Sequence, residues 1–186
     1  MKFNYWYWNN VLSNEDIKKL NNVIENNFDF YENEKFSAKE KNQTLKNVIT
    51  KQIYFFKIKK FIRKIIYDVY NTNNQHFNYK INKIEDYDLI NFNTYQSLNK
   101  QEYKYHIDAT LDPYEDIKLT IIINLSEMMY EGGDFFIFSQ GEHEVKEIKI
   151  PGNMIIFKSF LNHKVSPVTV GERKTLTIFL KGPSFR

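Results

Sequence analysis

Hydrophobic positions along this chain change their period near residue 86, from a helical repeat before it to short alternating runs after it. Ser13-Asn14-Glu15-Asp16 has the form of a capping box, and Ile17, Leu20, Val23 and Ile24 follow on one helical face. Glu32–Asn42 is polar and reads as a connection. Within Leu45–Tyr70, Ile49, Ile53, Phe56, Ile62, Ile65, Ile66 and Val69 recur at helical spacing, predicting a long amphipathic helix that Asn71–Gln75 stops. Beyond Asp86, strands are predicted at Leu89–Tyr95, Tyr103–Asp108, Lys118–Leu125, Asp134–Phe138, Glu144–Ile150, Met154–Phe157, Leu161–Val165 and Thr175–Leu180. Eight short strands between turn signals suit a jelly roll. Gly132-Gly133 and Pro151-Gly152 read as turns.

The expected fold class is therefore α+β, mainly β, a jelly-roll core with N-terminal supporting helices. No repeat or Gly/Ser-rich linker divides the chain, so 1–186 is expected to be a single domain. Residues 1–85 would be mainly helical support and 86–183 the β core. A chain of 186 residues has enough length for one substantial core.

Composition narrows the function classes. No apolar stretch approaches the ~20 residues of a membrane span, and no membrane partner is expected. Trp6 and Trp8 are expected to cover core. With no cysteine there is neither a disulfide framework nor a thiolate metal site, which fits a cytoplasmic, reducing setting. The net charge of +3 is mild, and Lys57, Lys59, Lys60, Arg63 and Lys64 form the one basic cluster. It reads as the solvated face of the second helix rather than a nucleic-acid surface.

The chemistry is carried by His106 and Asp108, two residues apart, and by His163 further on. In a strand, residues i and i+2 share a face, so His106 and Asp108 can reach one metal ion from one segment. His163 joins them from another segment. Two histidines and one carboxylate make the facial triad of non-haem Fe(II), which leaves positions open for oxygen and a co-substrate. Arg173, ten residues past His163, adds a fixed cation able to clamp a dicarboxylate. His76 and His143 fit no such motif.

These residues stand in a wider pattern: Tyr103–Asp108, Leu125-Ser126, Tyr130–Asp134, Pro151–Phe157, His163–Arg173 and the ending Gly182–Arg186. From about Asp88 to Pro183 the chain resembles the prolyl 4-hydroxylase-type branch of the Fe(II)/2-oxoglutarate-dependent dioxygenases, including small bacterial and phage members. The resemblance implies a double-stranded β-helix binding Fe(II) through His106, Asp108 and His163. It implies 2-oxoglutarate as co-substrate, held by Arg173 with Tyr95, O2 as oxidant and ascorbate as supporting reductant; Thr175, two residues past Arg173 on the same strand face, is placed to add a hydrogen bond to the carboxylate. Tyr103 and Phe179 are implied near substrate, Phe179 standing where relatives often have tryptophan. The glycine common before the metal strand in relatives is absent here. The implied substrate is a prolyl residue of a protein or peptide. Another amino-acid side chain, a small metabolite, a nucleobase, or a catalytically silent binding module stay open as alternatives.

Overall fold

Ser13 starts the first helix as the spacing predicts. Its hydroxyl accepts from the Asp16 N–H at 3.1 Å, the Asp16 carboxylate accepts from the Ser13 N–H at 3.4 Å, and helix α1 runs Asn14–Asn27. The computed structural model describes residues 3–32, 36–38, 43–109 and 113–184, with backbone alone between 31 and 46. Before α1 lies strand β1 (Tyr5–Trp8); after it come β2 (Phe30–Glu32), β3 (Phe36–Ala38), β4 (Gln43–Lys46) and β5 (Ile49–Tyr54). Helix α2 (Phe55–Thr72) follows, and a single π turn carries it to Phe77.

The second half is built from strands β6 (Leu89–Gln96), β7 (Tyr103–His106), β8 (Glu115–Asn124), β9 (Glu131–Gly132) and β10 (Phe135–Phe138). Then come β11 (Glu142–Glu144), β12 (Met154–Lys158), β13 (Asn162–Val165), β14 (Val168–Val170) and β15 (Glu172–Pro183). A seven-stranded antiparallel sheet has the order β1-β12-β8-β15-β6-β5-β2, and a six-stranded one the order β11-β10-β13-β7-β4-β3. Strands β9 and β14 form a small third pair. The two large sheets face each other as a double-stranded β-helix.

Period-two alternation divides the core between the two faces of the major sheet. Outward, Ile53, Ile90, Phe92, Ile121, Leu176 and Ile178 pack with Ile17, Leu20 and Ile24 of α1 and Ile58, Ile62 and Val69 of α2. Inward, Tyr95, Ile122, Ile155 and Phe157 pack with Phe135, Ile137 and Val165 of the minor sheet. Trp6 and Trp8 cover the outer cluster, as expected. Among the described residues no helix is long and apolar enough to cross a membrane.

Several expected elements differ. Residues 49–54 are strand β5, and the helix begins only at Phe55. Ile49 and Ile53 are four apart, which puts them on one face in either period, and pairing with β6 decides for the strand. Among the described residues the first 85 positions thus hold five strands besides the two helices, and β1, β2 and β5 belong to the major sheet. The Asn71–Gln75 stop falls later, at Asn78, which takes φ 55°. Glu144–Ile150 is not a strand: Lys146–Lys149 is a 3-10 turn, and the buried Val145 and Ile148 are three apart, the repeat of that turn. Part of the Glu32–Asn42 connection is strand β3; residues 33–35 and 39–42 lie outside the described residues.

Candidate metal centre and co-substrate cavity

His106 of β7 and His163 of β13 are paired directly across the minor-sheet ladder, with ring centroids 4.1 Å apart. Each uses Nδ1 on a main-chain carbonyl two residues upstream, Lys104 O at 2.7 Å and Leu161 O at 2.9 Å. A carbonyl only accepts, so Nδ1 carries the proton and Nε2 keeps its lone pair. Both Nε2 atoms face Asp108, at 3.5 Å from Oδ1 for His106 and 3.4 Å from Oδ2 for His163. One ligand atom from each of the three lies within 4.8 Å of the others. This donor set fits an Fe(II) ion with one face left open.

Asp108 stands just past the end of β7, two residues beyond the last strand position, and the major sheet holds it there. Its N–H donates to Ser159 O at 2.9 Å. The Thr120 hydroxyl donates to Asp108 Oδ2 at 2.8 Å and lies 3.0 Å from the Ser159 hydroxyl. Burial opposes the Asp108 charge, yet the neighbouring His106 and His163 rings and the Thr120 hydroxyl hold its pKa below the usual carboxylate value. Burial, aided by His106, pushes His163 down to about 4 against the pull of Asp108. Near neutral pH this pair is therefore a carboxylate and a neutral imidazole, the protonation states metal binding requires.

Tyr103 reaches the site through an irregularity in β7. His163 pairs with His106 but Val165 pairs with Tyr103, so β7 carries one extra residue between those pairs. The bulge lets residues three apart share a face, and the Tyr103 ring stacks on His106 with 3.4 Å between centroids and 10° between planes. Burial, with Asp108 and Tyr95 adding, raises the Tyr103 phenol well above its ordinary pKa.

Arg173, the second residue of β15, lies directly opposite Tyr95 of β6, and only 1% of its surface is exposed. Its guanidinium carbon is 5.0 Å from the centre of the Tyr95 ring. Nε and Nη2 are buried with no hydrogen-bond partner among the described residues. A buried cation with orphaned donors needs an anion. Burial raises the Tyr95 phenol, and Arg173 offsets part of that rise. Gly133, at φ +62°, makes room for this arginine, since a Cβ there would lie 3.0 Å from Arg173 Cδ.

All eight residues singled out in the sequence line one cavity of about 90 Å³. Two larger clefts, of about 590 and 640 Å³, contain none of the metal-binding side chains, and the second shares Phe179 with the site cavity. Thr175 is buried on the cavity face opposite Asn93, while Phe179 is half-buried and pairs with Thr120. Sequence reasoning missed Thr120, Ser159 and the role of Gly133 toward Arg173. Thr120 did carry a signal, as a lone hydroxyl inside the apolar run Leu119–Ile123. Ser159 carried none.

Other residues are accounted for structurally. His76 stacks on Trp6 at 4.3 Å, and the His143 ring is 3.1 Å from the Tyr5 hydroxyl. In the basic cluster, Lys57 pairs with Asp29 and Lys59 with Asp86. Residues 99–102 are a tied connection, since Gln101 is buried, its side-chain oxygen accepts from Gln96 N, and its carbonyl accepts from Val168 N. In the loop that follows β7, residues 110–112 lie outside the described residues.

Residues 90–181 match the family described as the 2OG-Fe(II) oxygenase superfamily. A PKHD-type hydroxylase of Herminiimonas arsenicoxydans is 35% identical to this chain, over 44% of the chain and 38% of the relative. The chain thus spans well under half the length of the curated relatives it matches. The fold resembles a Pseudomonas putida prolyl-4-hydroxylase with TM-score 0.72 at 18% identity, covering 98% of this chain and 95% of that one. It also resembles a Trichoplax adhaerens prolyl hydroxylase in complex with a hypoxia inducible factor peptide fragment, with TM-score 0.69 at 14% identity over 96% and 84% of the two chains. Fold and site together define a jelly-roll oxygenase scaffold. By that match residues 90–181 belong to the 2OG-Fe(II) oxygenase superfamily, and the whole chain shares the fold of the prolyl-4-hydroxylase structures.

Proposed function

We propose that this chain is an Fe(II)- and 2-oxoglutarate-dependent oxygenase, prolyl 4-hydroxylase-like, that hydroxylates an unactivated C–H bond in a protein or peptide. Residues 1–186 act as one domain. The carrying observation is the buried Arg173, its Nε and Nη2 without a partner among the described residues, in the lining of the same cavity as the His106–Asp108–His163 triad. The names of the relatives and of the structural neighbours support the same reading. The absence of cysteine supports a cytoplasmic setting.

Each side chain has a distinct task. His106, Asp108 and His163 hold the metal, while Thr120 and Ser159 keep Asp108 aimed at it. Arg173 takes the distal carboxylate of 2-oxoglutarate, with the Tyr95 and Thr175 hydroxyls beside it. The apolar wall of Ile122, Phe135 and Val165 keeps water away. Tyr103 and Phe179 flank the place where the substrate C–H bond must enter. Iron, 2-oxoglutarate and O2 together supply the oxidising power that no side chain has, with succinate and carbon dioxide as co-products.

The test is succinate formation with Fe(II), 2-oxoglutarate and O2, with and without proline-containing peptides, and Asp108→Ala as control. Peptide-stimulated succinate that vanishes in the variant, with one oxygen added to the peptide, is expected. Succinate that persists in Asp108→Ala overturns the assignment of the triad.

A further inference from the structure

The inner face of the major sheet continues past the metal cavity, and its register shows where it leads. Thr120, the hydrogen-bond partner of Asp108, pairs with Phe179 across β8 and β15. Phe179 and Leu89 extend the register that pairs Thr177 with Asn91, and Leu89 pairs with Tyr54 of β5. One row of side chains therefore crosses four strands from the metal site to Tyr54. Three inter-strand spacings make this roughly 14 Å, about the length of four extended residues.

At the far end, aromatic rings stand in the open. Tyr54 and Phe56 are nearly parallel, with centroids 6.1 Å apart and 18° between planes. Tyr87 stands edge-on to both, at 5.8 and 5.7 Å, and Phe30 is edge-on to Tyr54 at 6.2 Å. Tyr87 is 76% exposed, Phe30 47% and Phe56 46%. Such a ring cluster left in water marks a binding surface. It is also continuous with the site, because Phe179 lines both the metal cavity and the 640 Å³ cleft that holds Tyr87 and Leu89.

The next row along the sheet carries carboxamides: Gln52, which pairs with Phe30, donates to Asn91 at 2.9 Å. Carboxamide groups beside a ring platform suit the alternating donors and acceptors of a polypeptide backbone. The cleft wall carries Glu85, Asp88 and Glu115 against Lys83 and Lys181, so it offers no basic stripe for a polyanion. A free amino acid is too short to touch both the metal and the rings.

We propose that the row from Thr120 through Phe179 and Leu89 to the Tyr54, Phe56 and Tyr87 rings is a docking track for the polypeptide substrate. The rings take a proline about four residues from the residue presented to the metal. A pre-extended proline-rich segment loses little entropy on entering an aromatic-lined groove, which favours that occupant. This inference rests on the peptide-hydroxylase reading above, yet its test does not require turnover.

The experiment is fluorescence anisotropy of a labelled proline–alanine repeat peptide long enough to span the row, compared with its tripeptide, on the full chain loaded with Fe(II) and 2-oxoglutarate without O2. The long peptide is expected to bind at least tenfold more tightly than the tripeptide. Tyr87→Ala and Phe56→Ala are each expected to weaken the long peptide about tenfold and the tripeptide not at all. Equal affinity of long peptide and tripeptide, no change in either variant, or displacement of the long peptide by a single-stranded oligonucleotide overturns the track. Succinate formation, measured separately, reports on the oxygenase reading: its failure with the binding pattern intact removes the chemistry and leaves the track standing.

Discussion

Arg173 and Tyr95 face each other across the β6–β15 ladder, the guanidinium 5.0 Å from the phenol ring centre, both buried. The pair anchors the end of the cavity that lies on the major sheet. Arg173→Ala should weaken 2-oxoglutarate about a hundredfold, since hydrogen bonds to a charged group are worth about 1.5–3 kcal/mol each. Tyr95→Phe removes one hydroxyl and should weaken it about fivefold. Calorimetry on the iron-loaded, oxygen-free protein checks both, and an unchanged Arg173→Ala affinity would assign the clamp elsewhere.

Thr120 and Asp108 give a second test. Replacing Thr120 by Val keeps the shape and deletes the 2.8 Å hydrogen bond to Oδ2. Iron affinity should fall about tenfold, the lower end of what a lost supporting contact to a metal ligand costs. Metal titration with circular dichroism as a fold control would show it. Full affinity would mean that the Ser159 carbonyl alone suffices to orient Asp108.

Gly133→Ala should separate the two ends of the cavity. The added methyl meets Arg173 Cδ at 3.0 Å and Val168 Cγ2 at 2.9 Å, at a φ of +62° that alanine resists. Binding of 2-oxoglutarate should weaken severalfold while iron binding stays as in the parent, and the melting temperature should drop by several degrees. Parallel titrations of metal and co-substrate distinguish this from general unfolding.

Acid should destabilise the metal-free protein through His163. Its pKa falls from 6.5 to about 4 on folding, so the unfolded chain binds the proton more readily. The stability it contributes is complete above pH 6.5 and is lost as pH falls toward 4, up to about 3 kcal/mol. Asp108, also lowered, adds a loss in the same direction below 3.8. Urea unfolding of chelator-treated protein at several pH values should show this slope, and His163→Gln should lack it between 6.5 and 4.

The site was far more legible in the sequence than the first third of the fold. His106, Asp108, His163 and Arg173 are chemically distinctive and tied to a narrow spacing, so their types alone specified a cavity before any strand was placed. Ile49 and Ile53 carried no such restriction, because a four-residue interval satisfies both periods, and β5 was hidden in an apparent helix. Strand β1 pairs with β12 about 150 positions away, a choice that no local pattern records. Tyr103 stacks on His106 although strand alternation puts residues three apart on opposite faces, since only the bulge in β7 turns that spacing to one face. Ser159 holds Asp108 through its carbonyl, which any residue type supplies, so it leaves no trace in the sequence.

The two histidines ride on the minor sheet, but the carboxylate between them is tied by Ser159 and Thr120 to the major one. A metal ion bound there is therefore a rivet through the sandwich. Capturing it requires both halves already closed, so an incompletely folded chain holds iron poorly and has little means of generating an oxidant it cannot contain. Conversely, each bound ion should make the sheets harder to part, and the midpoint of thermal unfolding becomes a direct gauge of metal occupancy.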